Sequence, residues 1–145
     1  MRNEAMAMLD VLVGDWQLTM TNAWFLESLD TEVPGSATFE WLGDAFLVMR
    51  SRLGEDPASA WDLVIGRSDA NEQYKVLYHD ERGVCRLFEM TFADGQWSLI
   101  RKDPDFHQRF VATVERDRIA ARWDASEDFG QTWRKDFDLI FERHG

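Results

Sequence analysis

An all-β fold is what the sequence predicts: a meander of about ten antiparallel strands behind one short helix. Three observations lead there. Apolar residues recur at every second position over most of the chain. The alternating runs are broken at short intervals by Gly, Pro, Asp and Asn. Aromatic residues, which suit strands and apolar walls, make up 13% of the chain, with 7 Trp and 10 Phe. At 145 residues the chain fits one β-barrel domain spanning 1–145.

The helix comes first. Asn3 can cap it, Glu4 sits in its first turn, and Met6, Leu9 and Val13 fall at spacings of three and four. Gly14 stops it. The period then changes to two. Trp16, Leu18 and Met20 alternate with polar neighbours, and Asn22 and Trp24 continue the same parity. Val33-Pro34-Gly35 reads as a turn, Ala37, Phe39 and Trp41 as one face of a second strand, and Gly43-Asp44 as the next turn. A third strand covers 46–53 and a loop follows at Gly54-Glu55-Asp56-Pro57. Further strands are expected at 61–67, 73–79, 84–92, 96–102, 106–115, 118–124 and 132–142. The links between them are Ser68-Asp69-Ala70-Asn71, Asp80-Glu81-Arg82-Gly83, Ala93-Asp94-Gly95, Asp103-Pro104-Asp105 and 126–130. Asp94-Gly95 is the strongest hairpin signal among them.

Sequential hairpins allow a closed barrel or a sandwich. The barrel is preferred because nearly every strand has one apolar and one polar face. Closure buries one face of each strand and leaves no unpaired edge.

Charge and cysteine content narrow the role. The net charge is −11, so a phosphate backbone or an anionic membrane surface would be repelled. Nucleic acid and membrane are therefore not expected as partners, while a homodimer stays open. Cys85 is the single cysteine, which excludes an intramolecular disulfide and a multi-cysteine zinc site. The first thirteen residues carry Glu4 and Asp10, unlike a signal peptide, and no run approaches a membrane span. A cytoplasmic location is the resulting expectation.

The pattern of a short helix, Gly14-x-Trp16 opening the first strand, and about ten meandering strands resembles the calycin superfamily, which includes the lipocalins and the fatty-acid-binding proteins. The chain is most similar to bacterial lipocalin-like families of unknown function. The stretches that carry the likeness are Leu12-Val13-Gly14-Asp15-Trp16, Phe39-Glu40-Trp41-Leu42 and Tyr78-His79-Asp80-x-x-Gly83-Val84. The resemblance implies a ligand cavity inside the barrel, capped by the N-terminal helix. Secreted lipocalins usually carry a signal peptide and disulfides, and neither is expected here. The chain departs from fatty-acid-binding proteins in its last strand, which reads Trp133-Arg134-Lys135-Asp136-Phe137 in place of their Arg-x-Tyr pair.

Strand parity assigns faces. Several otherwise apolar faces carry one polar residue. Arg86 shares its face with Val84, Phe88, Met90 and Phe92; Arg101 with Trp97 and Leu99; Gln108 with Phe106, Phe110, Ala112 and Val114; Lys135 with Trp133, Phe137, Leu139 and Phe141. Tyr74, Val76 and Tyr78 form one face, and Ile119, Ala121 and Trp123 another. The expected cavity is walled by Trp24, Phe39, Trp41, Tyr78, Trp97, Phe106, Phe110 and Trp123. Its polar points are Arg86, Arg101, Gln108 and Lys135. An unpaired buried charge costs several kcal/mol, so these cations need carboxylates, water or a ligand anion. The competing reading is that Arg101 and Lys135, close to strand ends, reach solvent, with Glu89 or Glu40 as partners.

Other motifs carry less. The run from Ser126 to Trp133 matches the Asp-box of sialidase propellers, S-x-D-x-G-x-x-W. One copy in so short a chain reads as a hairpin device, with Ser126 and Asp128 bonding turn amides and Trp133 packing beneath. His79, His107 and His144 show no HxH or HExxH spacing, so no metal or cofactor is expected. Cys85 has the opposite parity to Arg86 and reads as a buried structural thiol. No catalytic residues are assigned. Binding of a small apolar or amphipathic molecule, with anionic character allowed, is the expected role. A lyase- or isomerase-type enzyme of the same fold, a haem-binding barrel and a barrel acting through its surface are the alternatives.

Overall fold

A computed structural model of the chain describes residues 2–144 apart from 57, 58, 69 and 71. A short α-helix, α1 (Glu4–Ala7), runs into a 3₁₀ turn (Met8–Leu12) and then into ten strands. These are β1 (Gly14–Thr21), β2 (Val33–Leu42), β3 (Phe46–Leu53), β4 (Ala60–Ser68), β5 (Gln73–Asp80), β6 (Cys85–Ala93), β7 (Gln96–Lys102), β8 (His107–Val114), β9 (Arg118–Ser126) and β10 (Arg134–Arg143). Each strand pairs antiparallel with the next, and β10 closes on β1. The sheet is a closed ten-stranded meander barrel, as the alternation and the hairpin spacing predict. No helix among the described residues is long and apolar enough to cross a membrane.

The N-terminal segment plugs one end. The Asn3 side chain accepts the Met6 amide at 2.8 Å and caps α1. Only the first turn is α-helical; the remainder tightens to 3₁₀, a common form for a short terminal piece. Met6, Leu9 and Leu12 point into the barrel and are fully buried. The Tyr74 hydroxyl donates to the Ala5 carbonyl, and Trp16 Nε1 donates to the Leu12 carbonyl at 2.9 Å. Arg143 donates to the carbonyls of Val11 and Val13 at 2.7 and 2.9 Å. Beneath this plug Trp16, Phe39, Trp97, Phe110 and Phe141 form a packed aromatic layer. The Trp97 indole N–H is buried without an acceptor among the described residues, a cost on the order of 1–3 kcal/mol set against the packing of that layer.

Hairpin chemistry follows the sequence. Asp94 and Gly95 both adopt positive φ, 54° and 75°, as a type I′ hairpin requires. The turns expected around Pro57 and around Asp69 and Asn71 lie partly outside the described residues.

Three expectations are corrected. Val33-Pro34-Gly35 is the start of β2, with Gly35 paired to Leu18 on β1 and Leu53 on β3. A Cβ on Gly35 would sit 2.2 Å from the Arg52 carbonyl oxygen, so glycine serves a close strand approach here, not a turn. The true connection is 22–32, opened by Asn22 at φ 55°, which ends the parity run before Trp24. Second, Cys85 is exposed. Its parity points it to the outer face.

The third correction concerns Lys135. In β10 the register slips between Lys135 and Phe137: Lys135 pairs with Asp124, yet Phe137 pairs with Trp123. This bulge adds one residue and inverts the faces on its N-terminal side. Lys135 therefore lies on the outer face, with its ammonium 3.0 Å from Asp138. Arg134 takes the inward side.

Candidate functional site

The end of the barrel opposite α1 is hollow. A cavity of about 680 Å3 opens there, and its lining comes from the last inward positions of the strands. Aromatic walls are given by Trp61 on β4, Tyr78 on β5, Trp123 on β9, Phe137 on β10 and Phe106 just before β8. Trp61 stacks on Tyr78 with centroids 6.2 Å apart, and Trp123 meets Trp61 and Phe88 edge-on at 6.5 and 5.7 Å. Alternation sends these rings inward; the hairpin turns end the strands just beyond them.

The polar side is built by the β5–β6 hairpin. Asp80 accepts the Tyr78 hydroxyl at 2.8 Å and the Arg82 guanidinium at 2.6 and 3.1 Å. It also accepts the amides of Arg82 and Val84 at 3.0 and 3.3 Å. The carboxylate is thus the organising group of the turn, which explains the Tyr-x-Asp-x-x-Gly spacing in physical terms. The Arg82 bond, joined by those from Tyr78 and the amides, holds the Asp80 carboxyl far below the usual carboxylate range. Burial, helped by the bond to Asp80, pushes the Tyr78 hydroxyl up to about 12.

Arg86 is different. Its guanidinium lies 5.6 Å from the Tyr78 ring centroid and 5.0 Å from that of Phe106. Its hydrogen bond is a long one, 3.5 Å to Gln108 Oε1. Among the described residues no carboxylate pairs with it. The other nearby cations are committed. Arg82 is held by Asp80. Arg101 lies behind Phe106, bonded to the Phe106 carbonyl at 2.9 Å and paired with Asp103 and Asp105 at 3.1 and 3.0 Å. Its Nε is buried without an acceptor among the described residues.

The 22–32 connection leans over the mouth. Trp24 Nε1 donates to Asp136 at 3.0 Å, Arg134 stacks 4.3 Å above the Trp24 ring, and Phe25 meets Phe137 edge-on at 6.1 Å. Asn22 donates to Asp138 at 2.7 Å. These anchors fall on or beside the β10 bulge.

The twelve residues singled out in the sequence separate by height. Trp24, Tyr78, Arg86, Phe106, Gln108 and Trp123 line the cavity together. Phe39, Trp97 and Phe110 face inward but belong to the packed layer at the closed end. Trp41 is also at that end, with its indole bonded to Asp10 at 3.1 Å and stacked under Arg2. Arg101 is tied into the 103–106 loop, and Lys135 is outside. The lining also includes Trp61, Asp80, Arg82, Arg134 and Asp136, which sequence reasoning passed over. For Asp80 a signal existed in its turn motif; for Arg134 the bulge hid it.

The Asp-box run acts as a hairpin device. Ser126 Oγ accepts the Gly130 amide at 2.8 Å, and Asp128 accepts the Thr132 amide at 2.8 Å and the Thr132 hydroxyl. The Thr132 bonds, with that from Ser126, hold the Asp128 carboxyl down to about 2. Trp133 packs beneath the turn on the outer face, against Arg109 and His107, where a Cβ on Gly130 would lie 3.8 Å from its ring.

No family model matches the chain, and no curated protein matches it. Among solved structures, the crystal structure of Rv2717c from M. tuberculosis is similar over 100% of both chains, with a TM-score of 0.64 at 10% identity. The likeness is one of fold.

Proposed function

We propose that this chain is a calycin-type binding barrel whose open-end cavity holds a small, largely apolar molecule with a polar or anionic end directed at Arg86. The observation that carries the reading is the pairing of an aromatic-walled cavity of about 680 Å3 with one guanidinium that no described carboxylate neutralises. The volume lies inside the range of small-molecule sites, and a few placed polar groups in an apolar cleft are their usual composition. A charge in such a site is stabilised by meeting its counterion there.

The test fills the cavity. Ala125 lines it on β9, so Ala125→Trp occupies the space without disturbing the closed end. Phenylnaphthylamine, a neutral fluorescent probe, is expected to bind the wild type and to lose binding in the variant at unchanged melting temperature. Equal binding in both would place the probe elsewhere and remove the reading.

A further inference from the structure

We infer that the cavity takes a compact, ring-bearing monoanion and not an extended acyl chain; the inference rests on the reading of the open end as a binding site. Depth is the first argument. Each strand contributes at most its last inward positions: Tyr78 and Asp80 from β5, Trp123 and Ala125 from β9, Arg86 alone from β6, and none from β7. Neighbouring inward positions on a strand are about 7 Å apart. Below them Phe88 and Phe110 are buried against Trp123, at 5.7 and 5.0 Å, and form a floor. A volume of about 680 Å3 over so few inward strand positions makes a chamber that is broad for its depth. An extended chain needs length, which the aromatic floor denies. Fused rings need breadth and faces to stack on, and Trp61, Tyr78, Phe106 and Trp123 offer both.

Charge is the second argument. Of the cations in the lining, Arg82 is bound to Asp80, and Arg134 stacks on Trp24 with Asp136 3.7 Å away. Arg86 alone among the described lining cations has no carboxylate partner. Rings on Tyr78 and Phe106 lie against its guanidinium, leaving N–H groups to meet a planar anion. A second negative charge on the ligand would find no second free cation in the described lining and would face Asp80 and Asp136.

Two probes with the same ring system and two competitors test this. Anilinonaphthalene sulfonate and phenylnaphthylamine share their rings and differ by the anion. Wild-type protein is expected to bind the sulfonate about tenfold or more tightly than the amine, as a charge-assisted hydrogen bond implies. Arg86→Gln should remove that difference, and its circular dichroism and melting temperature, unchanged from wild type, report that the variant is folded. Anthracene carboxylate should displace the sulfonate at concentrations about tenfold or more below hexadecanoate. Hexadecanoate displacing as strongly as the ring acid would overturn the ligand class while leaving the binding reading intact. A sulfonate–amine difference that survives in Arg86→Gln would overturn the role of Arg86. Binding of neither probe to wild-type protein would overturn the binding reading, and this inference with it.

Discussion

The two ends of this barrel share their ten strands and their inward–outward alternation, and they differ in what the inward positions carry. At the closed end those positions hold Trp16, Phe39, Trp97, Phe110 and Phe141, all essentially without solvent exposure, beneath Met6, Leu9 and Leu12 of the plug. At the open end the last inward positions include Arg86, Gln108, Ala125 and Arg134, which are polar or small and leave about 680 Å3 unfilled. Parity alone decides which face a residue takes. Its height along the strand decides whether it fills the barrel or lines a chamber.

The largest effect expected from that difference is on stability. Phe110→Ala removes a ring from the packed layer and should cost about 3–5 kcal/mol in urea unfolding. Phe106→Ala opens onto a space that already exists, so its cost should be about 1–2 kcal/mol. Equal losses would break the comparison.

The two tyrosines sharpen it by pH. Tyr74 sits at the closed end, where burial raises its pKa against an opposing Arg67; Tyr78 at the open end reaches about 12. A phenol held above its ordinary value of 10 keeps its proton in the folded state after the unfolded chain has released it. The stability it contributes is complete below about pH 10 and is lost as pH rises through about 12. In Tyr74→Phe, which leaves one tyrosine, phenolate absorbance should rise only near pH 12. A midpoint near 10 would show that Tyr78 is neither buried nor bonded to Asp80. The sign for Asp80 is opposite. Its contribution is present above about pH 4, the unfolded carboxylate range, and declines as the pH falls.

The smallest effects separate the two cations at the bulge. Lys135→Ala should change stability by less than about 0.5 kcal/mol and leave probe binding untouched, since its ion pair with Asp138 is a surface one. Arg134→Ala removes the cation stacked on Trp24 and should weaken anilinonaphthalene sulfonate binding by about two- to fivefold. The reverse ranking would mean that β10 keeps regular parity.

The fold was legible because its signals are local. Alternation such as Trp16, Leu18, Met20, and turns such as Asp94-Gly95, specify strands and hairpins without reference to the rest of the chain. The site was legible only in part. Phe39, Trp97 and Phe110 share inward parity with Tyr78, Phe106 and Trp123, and nothing in a single strand reveals which end of the barrel each occupies. Regular parity puts Lys135 inside, because a bulge shifts parity by one and leaves no mark in the residue types. Gly35 reads as a turn in the sequence because glycine serves turns and close strand approach alike. Asp80 could have been found: a carboxylate two residues before a hairpin Arg and three before Gly83 is a turn-organising pattern.

The measurement that bears most directly on the account is a crystal structure of the protein soaked with anilinonaphthalene sulfonate. The account places the rings among Trp61, Tyr78 and Phe106, with the sulfonate on the Arg86 guanidinium. A second, smaller groove of about 490 Å3 on the outer face, beside Phe46, Leu77 and Leu87, is the competing position. Density for the probe in that outer groove, with the open end filled only by water, would contradict the claim that the hollow end of the barrel is its binding site.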